Sequence, residues 1–282
     1  MGQHYIPKYY LKGFSDPLKP SNIWVYEKGS NRIFSSTVRR VANENKRWPD
    51  TVEEYFADKI EEPAKPVLDK IRNCRPMTGN DKKIFSDYMV IMLKRVPKNL
   101  ERIKAGFPTV LEEVFAELNK EIFRSVEEYP SEKDAFQELL KELPRLKAKY
   151  ENEFPVELWH DTLSLDSLPR VRAILPTMTW VFLTSEKKQP FLSSDNPLFF
   201  FEGLGMGRPE SEITFPISSK TALWATWRRD LRESYVPGRN VAIKEINRRT
   251  ASAATKYVYY SQEAQWVVNL INKKNIRLNR LT

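Results

Sequence analysis

The sequence predicts an α+β protein in which a mixed or antiparallel sheet, built from both chain ends, carries a helical middle layer. Three observations predict it. Residues 1–50 hold short β-branched and aromatic runs between turn formers, residues 51–170 repeat apolar residues every three or four positions, and β texture returns in residues 171–282 together with C-terminal helices. No internal repeat and no Gly/Ser linker divides the 282 residues, so a single domain over 1–282 is expected.

Taken in order, Ile23-Trp-Val-Tyr26 and Ile33-Phe34 flank Lys28-Gly-Ser-Asn31 and predict a hairpin. Asp50 or Thr51 is a plausible N-cap for a helix with Glu53 and Glu54 in its first turn and Val52, Tyr55, Phe56 and Ile60 inside; Pro63 and Pro66 should interrupt it before Val67, Leu68 and Ile71 resume the pattern. A second helix from Asn80 carries Ile84, Phe85, Tyr88, Met89, Met92 and Val96 until Pro97 bends or ends it. A third shows Leu111, Val114, Phe115, Leu118, Ile122 and Val126 on one face, and a fourth runs through Phe136, Leu139, Leu140 and Leu143 before Pro144. Strands follow at Trp180–Thr184, Phe191–Leu192, Leu198–Phe201, Ile213–Phe215 and Ala222–Trp227. A helix over Gly238–Thr255, a strand at Tyr257–Tyr260 and a last helix around Trp266–Ile271 complete the chain.

Composition narrows the class. Hydrophobic residues at 41% and charged residues at 29% are the balance of a folded chain rather than a disordered one. The most apolar stretch, Val171 to Leu183, is too short for a membrane span and contains Arg172 and Pro176. The opening residues lack a secretory pattern, and Ile6 stands where a myristoylation motif wants Ser or Thr. The lone Cys74 rules out an internal disulfide and multi-Cys metal sites, so a cytoplasmic location is expected. The net charge of +9 is unevenly spread: nine Lys/Arg face four Asp/Glu in residues 1–50, thirteen face four in 217–282, and the middle is acidic. Brought together, the ends would form a basic face suited to phosphates; the alternative is that the excess serves solubility.

His4-Tyr-Ile-Pro-Lys-Tyr-Tyr-Leu-Lys-Gly-Phe14, Ile23-Trp-Val-Tyr-Glu27 and Val38-Arg-Arg-Val-Ala-Asn-Glu44 occur in that order, followed by Glu54, Ile60-Glu61, Lys94-Arg95-Val96-Pro97 and Ser194-Asp-Asn-Pro197; Ile213–Ser218 and Asn247–Tyr259 also fit. This set resembles the bacterial family known as domain of unknown function 4238, whose members begin HYVPxFYLxxF and carry SDNP or SDRP. The resemblance covers nearly the whole chain, departing at Trp48, where the family usually has Tyr, and in a longer charged middle. It implies a bacterial context and brings no site residue with it.

Candidate chemistry therefore rests on the residues. His4, among Tyr5, Lys8, Tyr9 and Tyr10, is a candidate general base or metal ligand, or else hydrogen-bonds within an edge strand; His160 reads as structural. Glu54 and Glu61, seven residues apart with Asp58 between, would share a helix face and, with Asp195, could hold Mg²⁺ or Mn²⁺, unless they form a solvated acidic face. Asp195 and Asn196 form an Asx turn before Pro197, or serve as general base and water- or phosphate-orienting group. Gly203-Leu-Gly-Met-Gly207 lacks a following helix and reads as a hairpin loop. Lys8, Arg228, Arg229, Lys244, Arg248 and Arg249 are candidate phosphate contacts, with Trp224, Trp227 and Tyr235 available to stack on bases; a solvated helix face is the alternative.

These residues point first to a nuclease or nuclease-like toxin or defence effector acting on RNA or DNA. A non-catalytic nucleic-acid or protein binding module of such a system comes second, and a hydrolase of a small phosphorylated or nucleotide substrate third. The expected partners are nucleic acid or another protein, and no membrane.

Overall fold

The computed structural model describes residues 2–185, 189–273 and 277–281. The chain divides into two compact units, Met1–Lys98 with Leu163–Thr282, and Asn99–Thr162. The helical middle is thus shared between two units, whereas the sequence suggests one continuous layer in one domain.

In the first unit, β1 (Gly2–His4) leads into the short helix α1 (Lys8–Leu11), and the predicted hairpin is β2 (Asn22–Glu27) with β3 (Arg32–Thr37). Its turn closes because Gly29 and Asn31 take φ of +87° and +55°, the left-handed region those two residue types tolerate. β4 (Asn43–Asn45) returns to pair antiparallel with β1. Gly13 lies under the 216–219 turn, where an added Cβ would meet the Ile217 carbonyl at 2.6 Å.

Pro63 and Pro66 do not interrupt the next helix. α2 (Asp50–Tyr55) widens into a π-turn over Phe56–Glu61 and continues as α3 (Glu62–Arg72). The Glu62 N–H reaches back five residues to Ala57 O, and Pro63 then falls in the first turn of α3, where its missing N–H breaks no bond. α4 (Gly79–Arg95) starts at a reciprocal cap, with Asp81 N–H donating to Thr78 Oγ1 at 3.1 Å and Thr78 N–H to Asp81 Oδ2 at 2.7 Å. It is buried almost all round over Tyr88–Leu93. Pro97 ends α4 and begins α5 (Pro97–Glu128), which carries the exposed Pro108 inside it.

The second unit holds most of α5, then α6 (Lys133–Asn152) and α7 (Val156–Asp161). Leu111, Phe115 and Leu143 form its core with Phe107, Leu118, Ile122, Leu140 and Tyr150 around them. Val114, expected on the same face, is about half exposed, and Pro144 sits inside α6 rather than ending it.

Back in the first unit, α8 (Pro169–Ile174) precedes β5 (Thr179–Thr184), β6 (Ser193–Ser194), β7 (Phe199–Phe200), β8 (Glu212–Pro216), β9 (Thr221–Thr226) and β10 (Ser234–Pro237). α9 (Asn240–Ala253), β11 (Tyr257–Tyr260) and α10 (Gln265–Ile271) follow. The fold is α+β, but among the described residues the strands form three sheets instead of the single one expected. Both chain ends do meet, in the antiparallel sheet β3-β2-β11-β6. The other large sheet, β10-β5-β9-β8-β7, comes wholly from residues 179–237 and is antiparallel apart from the parallel β10–β5 pair. β6 and β7 belong to different sheets, so the chain changes sheet at Asp195-Asn-Pro197. The glycine string 203–207 lies in the hairpin connection between β7 and β8, as expected.

α4 lies on the five-stranded sheet through Phe85, whose ring stacks on Phe215 of β8 and meets Trp180 of β5 edge-on. Tyr10 of α1 stacks on the same Phe215 at 5.3 Å. Aromatic burial of this kind is the main stabilising term of such a core, roughly 1.5–3 kcal/mol per fully buried large side chain.

Candidate functional site

His4 ends β1, opposite Asn43 of β4, and is only 8% exposed. Its Nε2 lies 3.0 Å from the Arg39 carbonyl. A carbonyl only accepts, so Nε2 carries the proton. Burial holds the imidazole below its ordinary pKa, against the Arg39 hydrogen bond and with help from the charges of Lys8 and Arg95. The backbone carbonyl of His4 accepts from the buried Arg95 guanidinium, whose Nη1 also pairs with Glu61 at 2.7 Å. Phe56 and Trp48 close over this guanidinium at 4.6 and 5.4 Å. Gln3 holds Trp48 from the other side through both of its amide atoms, at 2.9 and 3.0 Å.

Asp195 stands where the chain changes sheet. Its carboxylate, 1% exposed, accepts from the backbone N–H groups of Thr255, Lys256 and Tyr257 at 2.8, 2.6 and 2.9 Å. Burial pushes its pKa up, and those three donors and the Lys28 charge oppose the shift. Asn196 donates to Ala253 O at 3.1 Å. Both side chains therefore tie the end of α9 and the start of β11 to the crossover, and neither faces solvent.

The carboxylate row does not assemble either. Among the described residues, no three His, Cys, Asp or Glu side chains form a group that could hold a metal ion, so Glu54, Glu61 and Asp195 are not the Mg²⁺ or Mn²⁺ set expected of them. The π-turn between Glu54 and Glu61 breaks the two-turn spacing that would align them. Glu54 is exposed, while Glu61 is half-buried against Arg95.

The candidate cations separate into two groups. Arg249 is fully buried, paired with Glu212 at 2.7 Å, bonded to the Asn279 carbonyl and stacked between Phe199 and Phe201 at 5.3 and 4.9 Å. It is a core residue and no phosphate contact. Arg248 is partly exposed near Glu245, and Lys8 and Lys244 are exposed. Arg228 and Arg229 are exposed in the β9–β10 connection, the first gripping Asp230 through two bonds of 3.1 and 2.6 Å, the second 5.8 Å above Trp227. Of the aromatic candidates, Trp224 is buried and Tyr235 is stacked on Phe182, its hydroxyl donating to Arg75 O.

Two clefts open on the five-stranded sheet. One, about 430 Å³, is lined by the start of α4 with Trp180, Phe182 and Tyr235; its cation, Lys82, is already bonded to Glu233 and Met178 O. The other, about 390 Å³, has Trp224, Val236 and Leu281 in its apolar lining, with Arg228, Arg232 and Arg239 as its cations and Asp230 as its only acid. Among the described residues Arg232 has no ion-pair partner, which leaves an uncompensated positive charge at an apolar cleft. That combination suits an anion attached to an apolar or aromatic body.

A family model described as "Protein of unknown function (DUF4238)" matches residues 2–264. The chain belongs to this family. No curated protein and no solved structure matches it. In this DUF4238 chain the motifs behind the resemblance are bonded to one another: Arg95 joins His4 of the opening motif to Glu61, and Lys94 beside it bonds Ser164 and Ser167. Tyr5 is likewise close enough to Asp195 for that charge to raise its pKa, after burial, which is the larger cause. No described helix is long and apolar enough to cross a membrane.

Sequence reasoning singled out Arg228 and Trp224 of the cleft but missed Arg239, Leu231, Ala242 and Leu281, which line it too. Arg239 immediately before the α9 pattern was the available signal. Leu281 gave none, because its place depends on the C-terminal segment returning to Glu212 and Glu245.

Proposed function

We propose that this protein is a non-catalytic nucleic-acid-binding module that holds single strands through the exposed cations of the β9–β10 connection and α9. The observation that carries this is the set of exposed cations Arg228, Arg229 and Arg232 in one connection, against Asp230, with Lys244 exposed on α9. Phosphates are attracted by such a surplus, and nearby Trp227 offers an indole for stacking. A nuclease, or a small-substrate hydrolase using the same groups, would need His4, Asp195 or Asn196 to reach its substrate. All three are under a tenth exposed and are bonded internally.

Anisotropy titrations with labelled single-stranded RNA, single-stranded DNA and duplex test this, with Mg²⁺, Mn²⁺ or EDTA present and cleavage followed on gels. Three or four phosphate contacts predict that affinity for a single strand falls roughly 20- to 50-fold for a fourfold rise in salt. The triple variant Arg228→Glu, Arg229→Glu, Arg232→Glu should abolish binding while keeping the fold. Salt-insensitive binding, or none, defeats the proposal; metal-dependent cleavage lost in folded Asp195→Ala would restore the nuclease.

A further inference from the structure

The hairpin of α5 and α6 is thinly covered. Of the twelve exposed large hydrophobic side chains among the described residues, eight lie in Asn99–Thr162, and the two helices bury only Leu111, Phe115 and Leu143. On one side of that core Glu112 and Lys147 pair across the helices at 2.6 Å, beside Ala116, Asn119 and Pro144. At about 100° per residue, Val110 and Val114 lie round α5 in the opposite direction from Glu112, and Leu139 and Leu146 lie round α6 in the opposite direction from Pro144. These four therefore share the other side, where they are 42–53% exposed. Apolar side chains gathered on one face in this way mark an interaction surface.

The same face is acidic. Val110, Val114, Glu117 and Glu121 form one row of α5 at steps of four, three and four residues, and Leu139, Glu142 and Leu146 form a row of α6. Glu117 and Glu142 meet exposed cations of their own helices, Lys120 at 3.3 Å and Arg145 at 3.8 Å, contacts worth little in water. Asn99–Thr162 carries fifteen Asp and Glu against nine Lys and Arg, whereas the rest of the chain carries 22 against 37. A matching helix would be cationic with an apolar end, and α9 has that outward row: Val241, 78% exposed, then Lys244 and Arg248. Arg248, 3.4 Å from Glu245, keeps about a third of its side chain exposed. We propose that α9 of a second copy lies along this face, parallel to α5. The steps then coincide, with Val241 against Val114, Lys244 against Glu117 and Arg248 against Glu121. Burial of Val241 among the four apolar side chains supplies attraction, and the opposite charges fix direction and register.

Sedimentation velocity of the full chain tests this, over concentrations up to about 0.1 mM and salt from about 0.05 to 0.5 M. The parent should self-associate at low salt and dissociate as salt rises. Glu117→Lys with Glu121→Lys should leave the chain monomeric, and so should Lys244→Glu with Arg248→Glu, both with the parent's thermal transition because these side chains reach solvent. Mixed in equal amounts, the two monomeric variants should associate again: the lysines of one hairpin meet the glutamates of the other copy's α9, and the remaining pair of surfaces keeps its original charges. Val114→Ser should weaken the parent's association roughly tenfold. The proposal is overturned if the parent stays monomeric throughout, if the charge variants associate like the parent, or if their mixture stays monomeric. The hairpin variant leaves the strand-binding cations untouched, so anisotropy titration of the same protein shows whether the nucleic-acid reading stands or falls on its own.

Discussion

His4 and Asp195 are the polar residues most conspicuous in their apolar surroundings, and both are conspicuous for structural reasons. Asp195 collects three backbone N–H groups that would otherwise be stranded where α9 gives way to β11. His4 donates to Arg39 and presents its own carbonyl to Arg95. The sequence marks such residues as important without saying whether they face a substrate or the backbone, because partners such as Thr255 and Arg39 contribute main-chain atoms that carry no residue signature. His4 also gives a pH prediction. It is faced by Lys8 and Arg95, which disfavour its protonation, and by the Arg39 carbonyl and Glu61, which favour it, and burial leaves its pKa below the ordinary 6.5. Between 6.5 and that lowered value the unfolded chain binds the proton and the folded chain does not, so the histidine contributes fully above 6.5 and loses its contribution as pH falls. Urea midpoints of the parent and of His4→Gln should therefore converge from about pH 7 to about pH 5. A constant gap across that range would show that His4 does not titrate in the folded protein as its surroundings require.

At the scale of elements, periodicity identified the helices, and the Gly29–Asn31 turn identified the hairpin, because those signals are local. Prolines misled for an equally local reason: Pro63, Pro66 and Pro144 each read as a break, yet each lies inside a helix, and in the case of Pro63 a π-turn takes up the change. That π-turn also explains why the Glu54–Glu61 spacing did not give one face. Helix ends offer a sharper test. α3 closes with Cys74 N–H on Ile71 O at 3.1 Å and Arg75 N–H on Lys70 O at 2.8 Å, the paired bonds of a Schellman cap. The residue that must turn left-handed is Cys74, at φ +52°. Glycine takes this conformation without a Cβ penalty, so Cys74→Gly should raise stability by about 0.5–1 kcal/mol in urea unfolding. A loss of stability would mean that the exposed thiol makes a contact worth more than the backbone strain.

For the whole molecule, the count of charges by segment was right about where basic residues lie and silent about which of them the fold consumes. The two ends do join, through β2 and β11, but the junction uses Lys28 on Ala251 and Ala254 carbonyls and Lys256 on Glu27. Arg249 is consumed most completely. It links β8 through Glu212, the β7 region through Phe199 and Phe201, and the C-terminal segment through Asn279, while Glu212 and Glu245 accept the N–H groups of Leu281 and Asn279. An ion pair this deeply buried is destructive to break on one side, at about 3–5 kcal/mol, because the remaining charge stays desolvated. Arg249→Met and Glu212→Gln should each cost about that much, and the double variant should cost clearly less than their sum. Leu281 also lines the cleft, so strand affinity should drop in the single variants only as far as the C-terminal segment comes loose, and should recover in the double variant with stability. Additive losses would mean that Glu212 and Arg249 act separately, and loss of strand binding in a fully stable Arg249 variant would return that residue to the nucleic-acid surface.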